Sequence, residues 1–165
     1  YAEVPSLLSD LKATGHKLAV LSNASPDMLK TAMNAAGIAD FFDELLSVDV
    51  LKCYKPTPLV YQLVTTRFNC EPDDVTFFSS NNWDVSGAGA YGFKTIWVNR
   101  TGAAWDKLPY QPDNIVSALV EATISSKLQL LVLSQPYSSL IQLSLHLHEH
   151  VLQANRPQLL YPTQL

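Results

Sequence analysis

The sequence predicts an α/β fold, a Rossmann-like three-layer arrangement on a parallel sheet. Three observations carry that expectation. Short apolar runs (KLAVLSN, VTFFSS, KTIWVNR) alternate with stretches of helical periodicity. Their close spacing is that of right-handed βαβ units. The runs are apolar throughout, as strands are when helices cover both faces of a sheet.

The elements follow in order. Val4, Leu7, Leu8 and Leu11 recur at helical spacing, and Gly15 stops that helix. KLAVLSN is the first strand, closed by Ser22 and Asn23. Ser25-Pro26-Asp27 starts a helix with proline in its first turn. Met28, Leu29, Ala32, Met33 and Ala36 form its apolar face, and Gly37 ends it. FFDELLSVDV gives a helical turn and a short strand. CYKPTPLVYQLVTTRF sets Lys55 just before a helix running to about Phe68. VTFFSS is the third strand, WDVSGAGAYG the next helix, and KTIWVNR the fourth strand.

The composition bounds the function classes. The chain has 165 residues, 47% hydrophobic and 16% charged, which suits one globular core. A net charge of -4 leaves no basic footprint, so no nucleic-acid partner is expected. No run of 18 apolar residues predicts a membrane span, and the first residues lack the pattern of a signal peptide. Cys53 and Cys70 form no CxxC pair; both read as buried thiols in a reduced compartment, hence the cytoplasm.

Polar residues concentrate where strands end. Ser22 and Asn23 follow the first strand, Lys55 lies in the loop after the second, and Ser79, Asn81 and Asp84 follow the third. Ligands of open parallel sheets bind beyond the carboxyl ends of the strands, so the topology gathers these groups on one rim. Ser22 and the N–H groups of the next helix suit a carboxylate or phosphate. Lys55 offers a positive charge to an acid. Asp84, one helical turn past Asn81, could hold or activate a water. No Gly-x-Ser-x-Gly elbow and no cysteine supplies a nucleophile beside them.

Each residue also has a plainer reading. Ser22 and Asn23 could cap the next helix. Lys55 could be a solvated loop lysine. Ser79 to Asp84 could be a capping run, with Asp84 favouring the helix dipole. Trp83 reads as a packing residue, and Tyr61 as core with its hydroxyl at the edge. His146 and His150 of HLHEH share a helix face, but the pattern is not H-E-x-x-H and no further ligands accompany it, so no metal site is expected.

LAVLSNASPDML, CYKPTPLVYQL and FFSSNNWDVSGAGAYGFKTIWVNR resemble the type II 2-haloacid dehalogenases of the haloacid dehalogenase superfamily, from about Glu3 to Leu119. Ser-Ser-Asn-x-Trp-Asp is the specific part. The resemblance implies that an aspartate attacks carbon 2 of a 2-haloalkanoic acid, and that water hydrolyses the resulting ester to the 2-hydroxy acid. It implies Ser22, Asn23 and Tyr61 at the substrate carboxylate, and Lys55 holding the nucleophile ionised. Ser79, Asn81 and Asp84 would order the charges and the hydrolytic water, and Trp83 would line the apolar wall. The implied partner is a small carboxylic acid, with no cofactor and with room for a homodimer. Replacing Lys55 or Asp84 is then expected to remove turnover with little loss of folding.

The same comparison shapes the alternatives. Asn81 stands where the superfamily's Mg²⁺-dependent phosphatases place an acid, which favours dehalogenation over phosphoryl transfer. The Asp-x-x-Gly-Thr nucleophile loop and the helical cap do not occur here; Asp10 lies in a helix before the Ser22 strand. The expectation is an incomplete core over 1–119, inactive by itself, with the central strand missing and its neighbours' edges exposed. Residues 120–165, rich in Leu, Ser and Gln, read as a helical or unfolded tail broken at Pro136. The alternatives are a non-catalytic fragment that binds small acids or a partner, and a Mg²⁺-dependent phosphatase.

Overall fold

The structure, a computed structural model, describes residues 1–122 and 140–143. Helix α1 (Val4–Ala13) carries Pro5 in its first turn, where a missing N–H is tolerated. It buries Leu7, Leu8 and Leu11. Strand β1 (Lys17–Ser22) follows, buried at every position after Lys17. Helix α2 (Pro26–Ala35) is capped by Ser25, whose hydroxyl accepts the Met28 N–H at 3.4 Å. Strand β2 (Glu44–Ser47) precedes helix α3 (Pro58–Phe68). Strand β3 (Val75–Ser79), helix α4 (Asn82–Tyr91) and strand β4 (Lys94–Val98) form the next βαβ unit. Helix α4 ends at Gly92, whose φ of 111° suits glycine. A short strand β5 (Asn114–Val116) follows, and β6 (Leu140–Leu143) lies far along the chain.

All strand pairs are parallel, in the order β2-β1-β6-β3-β4-β5. The α/β expectation holds, with two differences. Strand β5 had no signal strong enough to read in three residues. More important, the gap expected between β1 and β3 is filled. Leu140–Leu143 lies there, in register with Lys17–Val20 on one side and Val75–Phe78 on the other. Part of the segment expected to be helical or unfolded is therefore a strand. Four residues suffice because both neighbouring strands offer unpaired backbone groups, which are costly to bury without partners. The HLHEH stretch lies outside the described residues.

Two cores sandwich the sheet. On one face α1 and α2 cover Leu18, Val20, Phe78, Ile96 and Val98. On the other α3 and α4 cover Ala19, Leu21, Val75 and Phe77. Alternate residues of one strand thus feed opposite cores, which is why β1 shows no polar alternation. The apolar face expected for α2 is narrower than the sequence suggests. Leu29 and Met33 are buried, but Met28 is 54% exposed and Ala36 is exposed. Helix α2 packs against the edge strand β2, where only a thin stripe is covered. Cys53 and Cys70 are free thiols, half-buried rather than buried, because both sit in loops at the margin of the second core.

Candidate active site

The chain runs from β1 outward to β2, then returns across β1 and β6 to β3 and continues the other way. The crossover helices change faces with that reversal, α2 lying on one side and α3 on the other. Such a switch point opens a crevice at the carboxyl ends of the strands on either side of it. Ser22 ends β1 and Ser79 ends β3. The described residues of β6 lie between these strands, with Leu143 level with Val20 and Phe78.

Asp84 is the centre of the cluster at this rim. It is completely buried in the first turn of α4. Lys55 Nζ donates to its Oδ2 at 3.0 Å, and Ser79 Oγ donates to the same oxygen at 3.1 Å. Tyr61 Oη donates to Oδ1 at 2.9 Å and lies 3.2 Å from the Asp84 carbonyl oxygen. One carboxylate thus ties together the end of β3, helices α3 and α4, and the loop before α3. The Lys55 ammonium lies 5.5 Å from the centre of the Phe77 ring, which gives it an aromatic wall. Tyr61 is held edge-on by Phe77 and Phe93, so its hydroxyl has little freedom.

The remaining predicted residues fall around this network. Asn23 Oδ1 accepts the Lys55 N–H at 3.1 Å, which joins the end of β1 to the lysine loop. Ser22 Oγ accepts the Ala24 N–H at 3.1 Å and is buried. Neither residue caps α2, because Ser25 does. Asn81 is the N-cap residue of α4, and its N–H donates to Ser79 Oγ at 3.1 Å. Trp83 is half-buried, and its N–H donates to Asn82 Oδ1 at 2.8 Å. The solvated reading of Lys55 is excluded, since its side chain is 3% exposed. Tyr61 is core throughout, hydroxyl included, rather than core with an edge hydroxyl.

Burial dominates the electrostatics. Desolvation pulls the Lys55 ammonium below the usual lysine range, while the Asp84 charge and hydrogen bond oppose it. Desolvation, then the charge and hydrogen bond of Asp84, push the Tyr61 phenol far above its ordinary value, so it stays a neutral donor. The pair is satisfied from several sides, as a buried charge must be. This burial also corrects the expectation that Lys55 or Asp84 can be removed with little loss of folding. Taking away one partner strands the other's charge in the interior, at about 3–5 kcal/mol.

Sequence reasoning missed Phe77 and Gly87. Phe77 read simply as a strand residue, although the alternation that turns it toward Lys55 was visible. Gly87 lies against the Tyr61 hydroxyl and Pro56; its signal was the small-residue run SGAGA in a helix. Among the described residues no three His, Cys, Asp or Glu side chains converge as metal ligands.

The fold and site together define a parallel α/β protein with a buried lysine–carboxylate pair at its switch point. The chain belongs to the haloacid dehalogenase-like hydrolase family, whose model matches residues 1–92. It is 43% identical over 119 residues to an (S)-2-haloacid dehalogenase of Pseudomonas sp. (strain YL), covering 72% of this chain and 51% of that protein. It is 40% identical over 119 residues to haloacetate dehalogenase H-2 of Moraxella sp. (strain B), covering 72% and 53%. The solved L-2-haloacid dehalogenase of Xanthobacter autotrophicus superposes with a TM-score of 0.72 at 31% identity, covering 77% of this chain and 60% of that one. The chain spans about half the length of the curated relatives it matches.

Proposed function

We propose that this chain is the Lys55–Asp84 half of a hydrolase that converts 2-haloalkanoic acids to 2-hydroxy acids. An aspartate outside the gathered set attacks carbon 2, the carbon–halogen bond breaks and halide leaves. Water then adds at the carbonyl of the ester, which releases the hydroxy acid and regenerates the carboxylate. Asp84 itself is a poor nucleophile here, since it is fully buried and both oxygens accept hydrogen bonds. In this reading Lys55 keeps the attacking carboxylate ionised, while Ser79, Asn81 and Asp84 hold the lysine and order the water. Ser22 and Asn23 face the substrate carboxylate, Tyr61 braces the lysine's partner, and Trp83 lines the apolar side.

The observation that carries this reading is the occupancy of Asp84. A cation would have to compete with the Lys55 ammonium 3.0 Å from one oxygen and the Tyr61 hydroxyl on the other. That arrangement suits a charge-holding lysine better than an Mg²⁺ ligand, which needs open hard oxygens. Relatives at 43% and 40% identity are named as an (S)-2-haloacid dehalogenase and a haloacetate dehalogenase. A cytoplasmic setting and a homodimer stay part of the proposal, checked by fractionation and sedimentation. Among the described residues no helix is long and apolar enough to cross a membrane.

The test is a chimera in which residues 1–119 replace the matched half of the Pseudomonas enzyme. It is expected to release chloride from (S)-2-chloropropionate. Lys55→Met should lower that rate by about 10²–10³-fold, the usual cost of losing a fixed charge aimed at the reacting group. A folded chimera with no halide release sinks the reaction; near-normal release in Lys55→Met sinks the site.

A further inference from the structure

We propose that Gly87 is a positioning residue for the Lys55–Tyr61–Ser79–Asp84 network. Its missing side chain sets how closely α4 approaches Pro56 and Tyr61, and that approach lets the Tyr61 hydroxyl reach Asp84. Gly87 lies three residues after Asp84, on the same face of the helix. A Cβ at this position would stand 2.5 Å from Pro56 Cβ and 2.6 Å from Tyr61 Oη. Carbon atoms settle at about 3.5–4.0 Å, so the wall and the helix would have to part by about 1 Å.

Neither neighbour can yield cheaply. Pro56 is a ring next to Lys55, so moving it moves the lysine's own backbone. Tyr61 is fully buried between Phe77 and Phe93. A hydrogen bond of 2.9 Å does not survive a further 1 Å of separation. The next glycine of the same helix provides the contrast. A Cβ at Gly89 would meet Tyr110 Cβ at 3.6 Å and Thr95 Cγ2 at 3.7 Å, which are ordinary contacts. The proposal deepens the reading of this network as the functional site. Its test reads the network's own proton, so it can fail or succeed independently of the dehalogenation reading.

The experiment is solution NMR on the 165-residue chain, following the Tyr61 hydroxyl proton, assigned by its loss in Tyr61→Phe. A buried hydroxyl bonded to a carboxylate exchanges slowly with water and gives a resolved signal. The signal is expected in the unmodified chain and in Gly89→Ala. It is expected to vanish in Gly87→Ala while the amide spectrum stays dispersed. A folded Gly87→Ala that keeps the signal overturns the proposal, and so does its absence from the unmodified chain. Should Gly87→Ala fail to fold, the double variant Gly87→Ala/Tyr61→Phe decides. Deleting the oxygen met at 2.6 Å removes one of the two close contacts and is expected to raise the yield of folded protein above that of Gly87→Ala; a yield no higher overturns the proposal.

Discussion

Two carboxylate–lysine clusters sit at opposite ends of the same strands. At the carboxyl end, Asp84 and Lys55 are 0% and 3% exposed and are enclosed by Tyr61, Ser79 and Phe77. At the amino end, Asp43 takes Lys12 at 2.9 Å, Lys17 at 3.2 Å and the Leu18 N–H at 2.9 Å, with the lysines 36% and 54% exposed. The second arrangement is a clamp that fixes where β1 begins beside β2. Water shares its load, so each contact is small. The first costs far more desolvation than a clamp needs, and well-packed apolar side chains could hold those elements as well. A cluster that expensive, at a switch point, is what the proposed chemistry calls for, whereas a clamp would not need it.

The largest effect should come from splitting the buried pair. Lys55→Met leaves Asp84 charged in the interior, with an expected loss of about 3–5 kcal/mol in urea unfolding. The double variant Lys55→Met/Asp84→Leu should be less damaged than Lys55→Met alone, because no charge is then stranded. A double variant as unstable as the sum of its singles would erase the contrast with the Asp43 clamp. Tyr61→Phe comes next. It removes one donor from Asp84 and leaves the ring packing intact, at about 1–3 kcal/mol.

These residues differed in how legible they were. Lys55, Ser79 and Asp84 could be read from the sequence because strand ends are punctuated by polar residues, and a parallel sheet sends all such ends to one rim. What could not be read was depth. Nothing in CYKPTP says that Lys55 is nearly sealed from water. That follows from the long-range approach of Phe77, Tyr61 and α4, which no local pattern encodes. Strand β6 was illegible for a related reason. LIQL lies in a Leu, Ser and Gln-rich stretch without turn punctuation, and only the vacancy between β1 and β3 gives it a strand's environment. Propensity is weak against such tertiary context. Cys53 and Cys70 were misread because cysteine's average burial says little about a loop at the margin of a core.

Acid titration separates the two clusters next. Burial opposes ionisation of Asp43, but the Leu18 N–H and the two lysines outweigh it and hold the carboxyl down at about 2. A depressed carboxylate contributes stability above its unfolded value and loses it as pH falls toward the folded one. Asp43 should therefore contribute about 1–2 kcal/mol at neutral pH, discounted for its partial exposure, and lose it between about pH 4 and pH 2. Asp43→Asn should remove that component of the acid-unfolding profile. An unchanged profile in Asp43→Asn would mean that the clamp is held by the strands rather than holding them.

The smallest effect sharpens the comparison most. Lys17 is half in water, and its contact with Asp43 spans 3.2 Å. Lys17→Gln should cost only about 0.2–1 kcal/mol. That cost should shrink toward zero in 1 M salt, where screening reaches within about 3 Å. Lys55→Met should be nearly indifferent to the same salt, because ions cannot enter the volume between Lys55 and Asp84. A salt-sensitive Lys55→Met would place water and ions inside that volume. The rim cluster would then be a surface pair like the one at the other end of the sheet, and the case for chemistry there would lose its physical basis.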